Sequence, residues 1–587
     1  MNQRWNLDDL YSSFDSPEFQ ADIKAAKKEI ADFGIWAGEN FASPENAAAK
    51  IEHYINAVNG MRRAERLMSF ASLTRSVDES NEVAKKYSDQ LRALFAETTK
   101  FAVPFKKFVG AIGNLEELIA SSPVLKEHEF MLREIAARNK YVLSEKEEVA
   151  VAQLRNTGST AWGDMKDALL ATMRVPVVVG GAEKTLPLPA VRNLAYDADP
   201  ATRKNAYLAE MKSYETVDKA VAAALNAIKG EVWTMVKMRG YESPLHMTLE
   251  SSRMEKGTLE AMLSSMRDFL PSFRRYFRKK AKMLGHKGAL PFYDVFAPVG
   301  KVTMTFTYER AMEFILDQFY SYSKRLGDFA KKAFDKNWID AEVREGKRGG
   351  AFCSNLHCIG QSRVMANFDG SFSNVRTLAH ELGHAYHGEC LRHMPFLKTE
   401  YTMPIAETAS NFCEAIVTDA AIKKAAGVDE KRAILEAEIS ASMQVVVDIY
   451  SRYLFETAVF EKRQDGPLSV AEINGLMLQA QKDAYGDGLD PECLHPYMWA
   501  NKPHYYYAGR NFYNFPYAYG MLFSRGLYAK YLQEGDAFHA KYDALLAATG
   551  SASLEAIGDL AGIDVRGKDF WTASLKLVDE KIGEFCA

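Results

Sequence analysis

Apolar residues along this chain recur mostly at helical spacing. Tyr87, Leu91, Leu94 and Phe95 fall on one face of a 3.6-residue repeat, as do Leu435, Ile439, Met443 and Val446. Val375, Leu378, Leu382 and Ala385 make a third such stripe, which predicts a helix capped by Ser371 or Ser373. Just upstream, Val364-Met365-Ala366-Asn367-Phe368 reads as a short strand ended by an Asp369-Gly370 turn. A second β signal joins Val177-Val178-Val179 through Gly180-Gly181 to Thr185-Leu186-Pro187-Leu188. Its prolines confine that hairpin to a sheet edge. Asp199-Pro200 then opens another helix, the aspartate as cap and the proline in the first turn. The expectation is a mainly α protein with a boundary near residue 195. Residues 1–195 form an N-terminal helical domain with a β-hairpin near 175–188, and residues 196–587 form a second domain. No internal repeat or low-complexity linker interrupts either part.

Composition narrows the function classes. Hydrophobic residues make up 47% and charged residues 26% of 587, so the chain can bury a large core and is not disordered. A formal charge of −4, with no long Lys/Arg block, argues against nucleic-acid binding. Arg4, Asp8 and Asp9 break the N-terminus before any apolar run, so no signal peptide is expected there. No apolar stretch approaches the ~18 residues that a membrane span needs. The six cysteines are Cys353, Cys358, Cys390, Cys413, Cys493 and Cys586, and none are paired at Cys-x-x-Cys spacing. Reduced thiols in a cytoplasmic protein are expected.

The chemistry concentrates at His380-Glu381-Leu382-Gly383-His384. On a helix, residues i and i+4 stack, so His380 and His384 can offer two imidazoles to one metal ion. Glu381, one residue along, can reach a water on that metal and act as general base. The bland alternative is a surface helix with two histidines and no metal. A catalytic zinc takes three protein ligands and keeps one position open. His387 shares the face but lies about 10 Å along the axis from His380, too far for bonds of about 2.1 Å, and is expected to be a wall or core residue. A further donor is sought in the segment 402–414, where Pro404 suits a first helical turn and helical periodicity runs on to Gly427. That helix carries Glu407 near its start and Glu414 two turns later on the same face. Glu414 either orients a metal-bound imidazole or belongs to a solvated charged face.

These residues resemble a family. His380-Glu381-x-x-His384, followed by Glu407 in an Ala-Glu-Thr-Ala-Ser context, is similar to the thimet oligopeptidase group of zinc metallopeptidases, most closely the oligoendopeptidase F type. The resemblance runs the length of the chain. It includes Trp5-Asn6-Leu7-Asp8-Asp9-Leu10-Tyr11, Gly346-Lys347-Arg348-Gly349-Gly350-Ala351-Phe352-Cys353, and His504 with Phe512-Tyr513-Asn514-Phe515-Pro516-Tyr517. It implies a multi-lobed helical, zincin-type fold with a deep substrate channel and a small β-sheet near the metal. It also implies Glu407 as third zinc ligand, one Zn2+ per chain, and His504 and Tyr513 or Tyr517 as substrate-binding groups. A buried phenol needs a hydrogen-bond partner and could meet a developing oxyanion; the alternative is a tyrosine-rich packing seam. Gly349-Gly350 is either a plain turn or a hinge that lets backbone approach substrate. His357 and His495 are expected to be structural.

The reading is a cytoplasmic zinc endopeptidase acting on short peptides, with no nucleic-acid or membrane partner. Two alternatives stand beside it. One is a dipeptidyl carboxypeptidase-type exopeptidase, which needs a cation such as Arg510 to capture a terminal carboxylate. The other is a non-catalytic peptide-binding protein that retained the fold.

Overall fold

The structure is a computed structural model and describes residues 2–300 and 302–587. Among these residues helices predominate and the strands form a two-stranded and a three-stranded sheet, in line with the hydrophobic patterning. The chain divides into two compact units interleaved in sequence. One comprises Met1–Lys140, Met304–Ala420 and Lys530–Ile563; the other comprises Tyr141–Thr303, Ala421–Ala529 and Asp564–Ala587.

In the first unit, Asn81 caps the helix Glu82–Ala96 by accepting from the Ala84 N–H, and Leu91 and Leu94 are buried as their spacing predicts. Tyr87 stacks on Phe14 at 5.2 Å and meets Phe19 edge-on at 5.0 Å, so the N-terminal helices close around an aromatic core. The three-stranded sheet runs β3 (Ile339–Asp340), β5 (Gln361–Met365), β4 (Phe352–Leu356), with β5 parallel to β3 and antiparallel to β4. The strand expected at 364–368 therefore starts earlier, at Gln361. Beyond Met365 the chain still bonds laterally, Ala366 N–H to Asp340 O at 2.8 Å and Phe368 N–H to Ala341 O at 2.8 Å.

The loop between β3 and β4 is held by a fully buried ammonium. Lys347 Nζ donates to the carbonyls of Asp340 (3.1 Å), Glu342 (2.8 Å) and Ala366 (2.6 Å) and pairs with the Asp340 carboxylate at 2.7 Å. Asn367 Nδ2 adds bonds to the carbonyls of Arg348 and Gly350, at 3.0 and 2.9 Å. Of the glycine pair, only Gly350 adopts a positive φ, 83°, as a turn into β4 needs. The opening segment lies along this sheet: Ala341 N–H bonds Gln3 O at 2.7 Å, and the buried Arg363 donates to Asn6 O at 2.8 Å.

The second unit carries the hairpin, β1 (Arg174–Val179) against β2 (Ala182–Pro187), turning on Gly180 and Gly181 with φ of 59° and 80°. Two positive φ values in a two-residue loop match the right-handed twist of the strands. Asp199 caps Pro200–Tyr214 through the N–H groups of Ala201 and Thr202. Leu435, Ile439, Met443 and Val446 are all buried. The α-helix nevertheless ends at Met443, and Gln444–Asp448 form a π turn before Ile449–Arg463 continues. Apolar spacing alone does not register such an extra residue per turn.

A buried ion pair ties this unit together. Lys229 and Glu456, 1% and 2% exposed, meet at 2.6 Å, and Lys229 also reaches Asn511 Oδ1 at 3.2 Å. Lys229→Met strands the Glu456 charge and is expected to cost about 3–5 kcal/mol by chemical denaturation. The double variant Lys229→Met/Glu456→Met should recover most of that loss; a double variant as unstable as the single one would remove charge burial as the cause.

Candidate metal centre

The motif sits on the helix Phe372–Leu391. Of the two candidate caps, Ser371 is the one used; its Oγ accepts from the Asn374 N–H at 3.3 Å. Gly370 supplies the turn with φ 90°, and its carbonyl accepts from Phe306 N–H at 2.9 Å.

The donor for this helix comes from a broken one. The helix expected to run from Pro404 towards Gly427 is interrupted: Met403–Ala406 is a single turn, Glu407 sits at the joint with φ −89° and ψ 7°, and Thr408–Lys424 follows. The break aims Glu407 at the motif. Its Oε2 lies 3.2 Å from His380 Nε2 and 3.3 Å from His384 Nε2. One donor atom from each of the three residues falls within 4.8 Å of the others. A tetrahedral site with bonds of about 2.1 Å has edges of about 3.4 Å, close to the two Glu407 contacts, so the donor set suits a zinc ion.

Surrounding groups set the protonation. Glu414 Oε2 lies 3.2 Å from His380 Nδ1, while its other oxygen pairs with Arg376. The Nδ1–H is thereby committed to a carboxylate, and Nε2 is the nitrogen turned towards Glu407. Burial opposes charge on His380, but Glu407 and Glu414 outweigh it and raise the imidazole pKa to about 10. Burial likewise works against the Glu407 anion, yet His380 and His384 hold its carboxyl well below the usual range. Burial pushes the Glu381 carboxyl up, partly countered by the two imidazoles and the Cys353 N–H. His387, fully buried, stacks on Tyr401 at 4.3 Å, bonds Thr549 Oγ1 at 2.8 Å and has its pKa pulled down to about 3 by burial. It is a core residue, as its separation from His380 requires.

Sequence reasoning passed over four supporting residues. Arg376 holds Glu414, Ser410 Oγ donates to Glu407 Oε2 at 2.8 Å, and Asn355 Nδ2 donates to His384 O at 3.2 Å. The fourth, Gly383, was visible as a glycine inside a helical stripe, usually a weakness and here a close approach. A Cβ there would lie 2.5 Å from Ala409 O and 2.6 Å from Ser410 Cα.

His504, Tyr513 and Tyr517 lie in the other compact unit and form their own group. The helix Phe515–Glu534 contains Tyr517, whereas Tyr513 precedes it, so the two do not share a helix face. Their rings still meet edge-on at 5.8 Å, and His504 lies 4.8 Å from Tyr513. Phe512, just before, takes φ 50° while buried between Tyr453 and Phe460; this strained residue fixes where Tyr513 points. Asn514 Oδ1 accepts from Arg452 at 2.9 Å and lies 2.8 Å from His504 Nδ1. Arginine cannot accept, so the amide oxygen must face it, and Nδ1 must carry the His504 proton. Burial lowers the His504 pKa, which leaves a neutral ring with Nε2 as an acceptor. Arg510 is exposed, about 6 Å from the Tyr513 ring.

With this geometry in place, likeness to known proteins is informative. A model of peptidase family M3 matches residues 193–577, and one described as Oligopeptidase F matches 113–174. The chain therefore belongs to peptidase family M3, in its oligoendopeptidase F branch. Group B oligopeptidase PepB of Streptococcus agalactiae is 25% identical, over 89% of this chain and 87% of its own. Oligopeptidase PepF of Bacillus subtilis is 24% identical, over 99% and 86%. A crystal structure from Chlamydophila abortus shares the fold at TM-score 0.86 and 22% identity, covering all of this chain and 98% of the other.

Gly383→Ala should force the two backbones apart and weaken zinc binding by about 10–100-fold, read by competition with a chromogenic chelator. Gly475→Ala, where a Cβ meets nothing within 4 Å, is the matched control and should bind zinc normally.

Proposed function

We propose that this chain is a zinc-dependent endopeptidase that hydrolyses internal bonds of short peptides, with one zinc per chain held by His380, His384 and Glu407. The carrying observation is a single carboxylate oxygen placed 3.2 and 3.3 Å from two imidazole nitrogens, with Glu381 on the intervening turn. Oligopeptidase relatives support peptides as substrates. In sequence terms we assign the catalytic region to 196–587, close to the limits of the matched family model.

Zinc in this triad supplies Lewis acidity and acidifies water at its open position. The chain's own groups do the remainder. Glu381, its basicity raised by burial, removes a proton from the attacking water and passes it to the leaving amine nitrogen. Glu414 keeps His380 in the tautomer whose Nε2 is free to bind. β4 pairs only with β5 among the described strands, so its outer edge can bond the backbone of an extended peptide, which favours broad specificity. On the family resemblance, Tyr513 or Tyr517 donates to the oxyanion. His504, neutral with Nε2 free, is suited to accept a substrate N–H rather than to donate. The size limit implied by the resemblance keeps long chains from the site.

Digestion of a peptide library followed by mass spectrometry tests the reading. Internal cuts support it, whereas dipeptides released from C-termini mean the exopeptidase, and no cuts by zinc-loaded protein mean a binding protein. Glu381→Gln should retain zinc and lose about 10²–10⁴-fold in turnover; near-normal turnover removes Glu381 as the base. His380→Ala, His384→Ala and Glu407→Ala should each lose chelator-resistant zinc, while His387→Ala keeps it.

The phenol that serves the oxyanion should show, as its Phe variant, a fall in kcat with KM little changed. If both variants turn over normally, neither tyrosine is the donor. Short peptides should be cut and denatured casein spared at equal concentration of cleavable sites; equal cleavage ends the size limit.

A further inference from the structure

The second compact unit contains a cavity of about 230 Å3 that the proposed chemistry leaves unused. That is below the ~300–1,000 Å3 of pockets for drug-sized ligands, so its occupant is small. One wall is aromatic. Tyr207 lies 6.4 Å from Phe292 and 5.9 Å from Tyr293, and Tyr196 lies 5.3 Å from Phe296. The rest of the lining is polar or charged and includes Gln444 and Asp448 from the π turn. Turns of this kind recur at functional sites, since the extra residue turns side chains off the helical register.

The cations of the lining outnumber the carboxylates that pair with them. Arg192 pairs with Glu210 at 3.1 Å, Arg203 with Asp294 at 2.6 Å, and Arg452 with Asp448. Glu210 is further satisfied by Tyr214 OH at 2.8 Å and lies 3.3 Å from His495 Nε2, and the Tyr485 hydroxyl approaches Asp448 at 3.4 Å. Lys502 is the remaining cation lining the cavity; it makes no ion-pair contact among the described residues, and the carboxylates whose charge reaches it, Asp448 and Glu210, are already paired with Arg452 and Arg192. Burial, with Arg452 and Arg192, pulls its pKa down to about 8 against the opposing pull of Asp448 and Glu210, so at neutral pH it is a protonated, poorly solvated ammonium. A cation without an ion-pair contact and several aromatic rings lining one small cavity favour an anion with a planar apolar body. A second charge, of ammonium type, would find the acids already engaged.

We propose that this cavity binds a small aromatic monocarboxylate, with its carboxylate on Lys502 and its ring against Tyr207 and Phe292, and that binding modulates the peptidase. The link is Arg452. It lines the cavity and donates to Asn514 Oδ1, the same atom that accepts from His504. A carboxylate held by Lys502 adds negative charge near Arg452, competes with Asn514 for it and so loosens the anchor that sets the His504 ring. This second half rests on the substrate-binding role given to His504 above; the binding half does not.

The test uses the full-length chain and 3-phenylpropionate as probe, with phenethylamine as the charge-reversed control. Calorimetry is run on the metal-free His380→Ala/His384→Ala variant, so that carboxylate binding to zinc is not counted. Saturable binding of the acid and none of the amine is expected. Adding Lys502→Met, checked for an unchanged melting temperature, should weaken affinity roughly tenfold or more. Phe292→Ala probes the proposed ring contact and should weaken phenylpropionate but not acetate; unchanged phenylpropionate affinity overturns that placement of the ring. Absent saturation, or equal affinity in the Lys502→Met variant, overturns the site. In zinc-loaded protein, saturating phenylpropionate should change kcat/KM, and the change should vanish with Lys502→Met. Binding with no such change overturns the modulation. Binding retained in a chain that cuts no peptide would instead sink the endopeptidase reading alone.

Discussion

The candidate metal cluster depends on two helices meeting at backbone distance. At Gly383 the helix Phe372–Leu391 presses on Ala409 and Ser410 so closely that a Cβ would sit 2.5 Å from a carbonyl oxygen. Glu407 immediately precedes the opposing helix, and Glu414 lies within it. A single contact therefore sets two carboxylates against His380, one on each ring nitrogen. Interiors packed this tightly transmit displacement rather than absorb it. A shift caused by any larger residue would reach both carboxylates together.

Charge then distinguishes residues that the chain presents alike. His380, His384 and His387 share one helix face. Two of them meet carboxylates, and His380 is strongly basic as a result. The third is sealed between Tyr401 and Thr549, and burial makes it almost unable to take a proton. Glu381 shows the same logic with opposite sign, since desolvation lifts a carboxyl that exposure would leave ionised and weakly basic. Function here is a matter of neighbours more than of residue type.

The second unit handles buried charge by pairing it almost completely, through Lys229–Glu456, Arg203–Asp294 and Arg525–Glu438. Buried ion pairs of this kind add little net stability but are costly to break singly. Against that background an unmatched ammonium at Lys502 stands out, beside a π turn that interrupts an otherwise regular helical stripe.

Local features were legible in the chain itself wherever the physics is local. Spacing located the helices through Tyr87–Phe95 and Val375–Ala385, paired glycines turned the hairpin, Asp199 capped its helix, the cap of the motif helix was narrowed to Ser371 or Ser373, and the i, i+4 histidines shared a face. Seven residues of helical rise also excluded His387 as a ligand, because that distance follows from the repeat alone. Longer-range features were not legible. The break at Glu407, the π turn at Gln444–Asp448 and the left-handed Phe512 each cost local regularity, and each is compensated by contacts from segments remote in sequence. The interleaving of three chain segments into each unit, and the partner that fills each buried charge, depend on the same distant contacts. The chain determined which side chains could do chemistry; tertiary packing decided which of them meet, because only the folded state brings a glycine of one helix to within a bond or two of another helix's backbone.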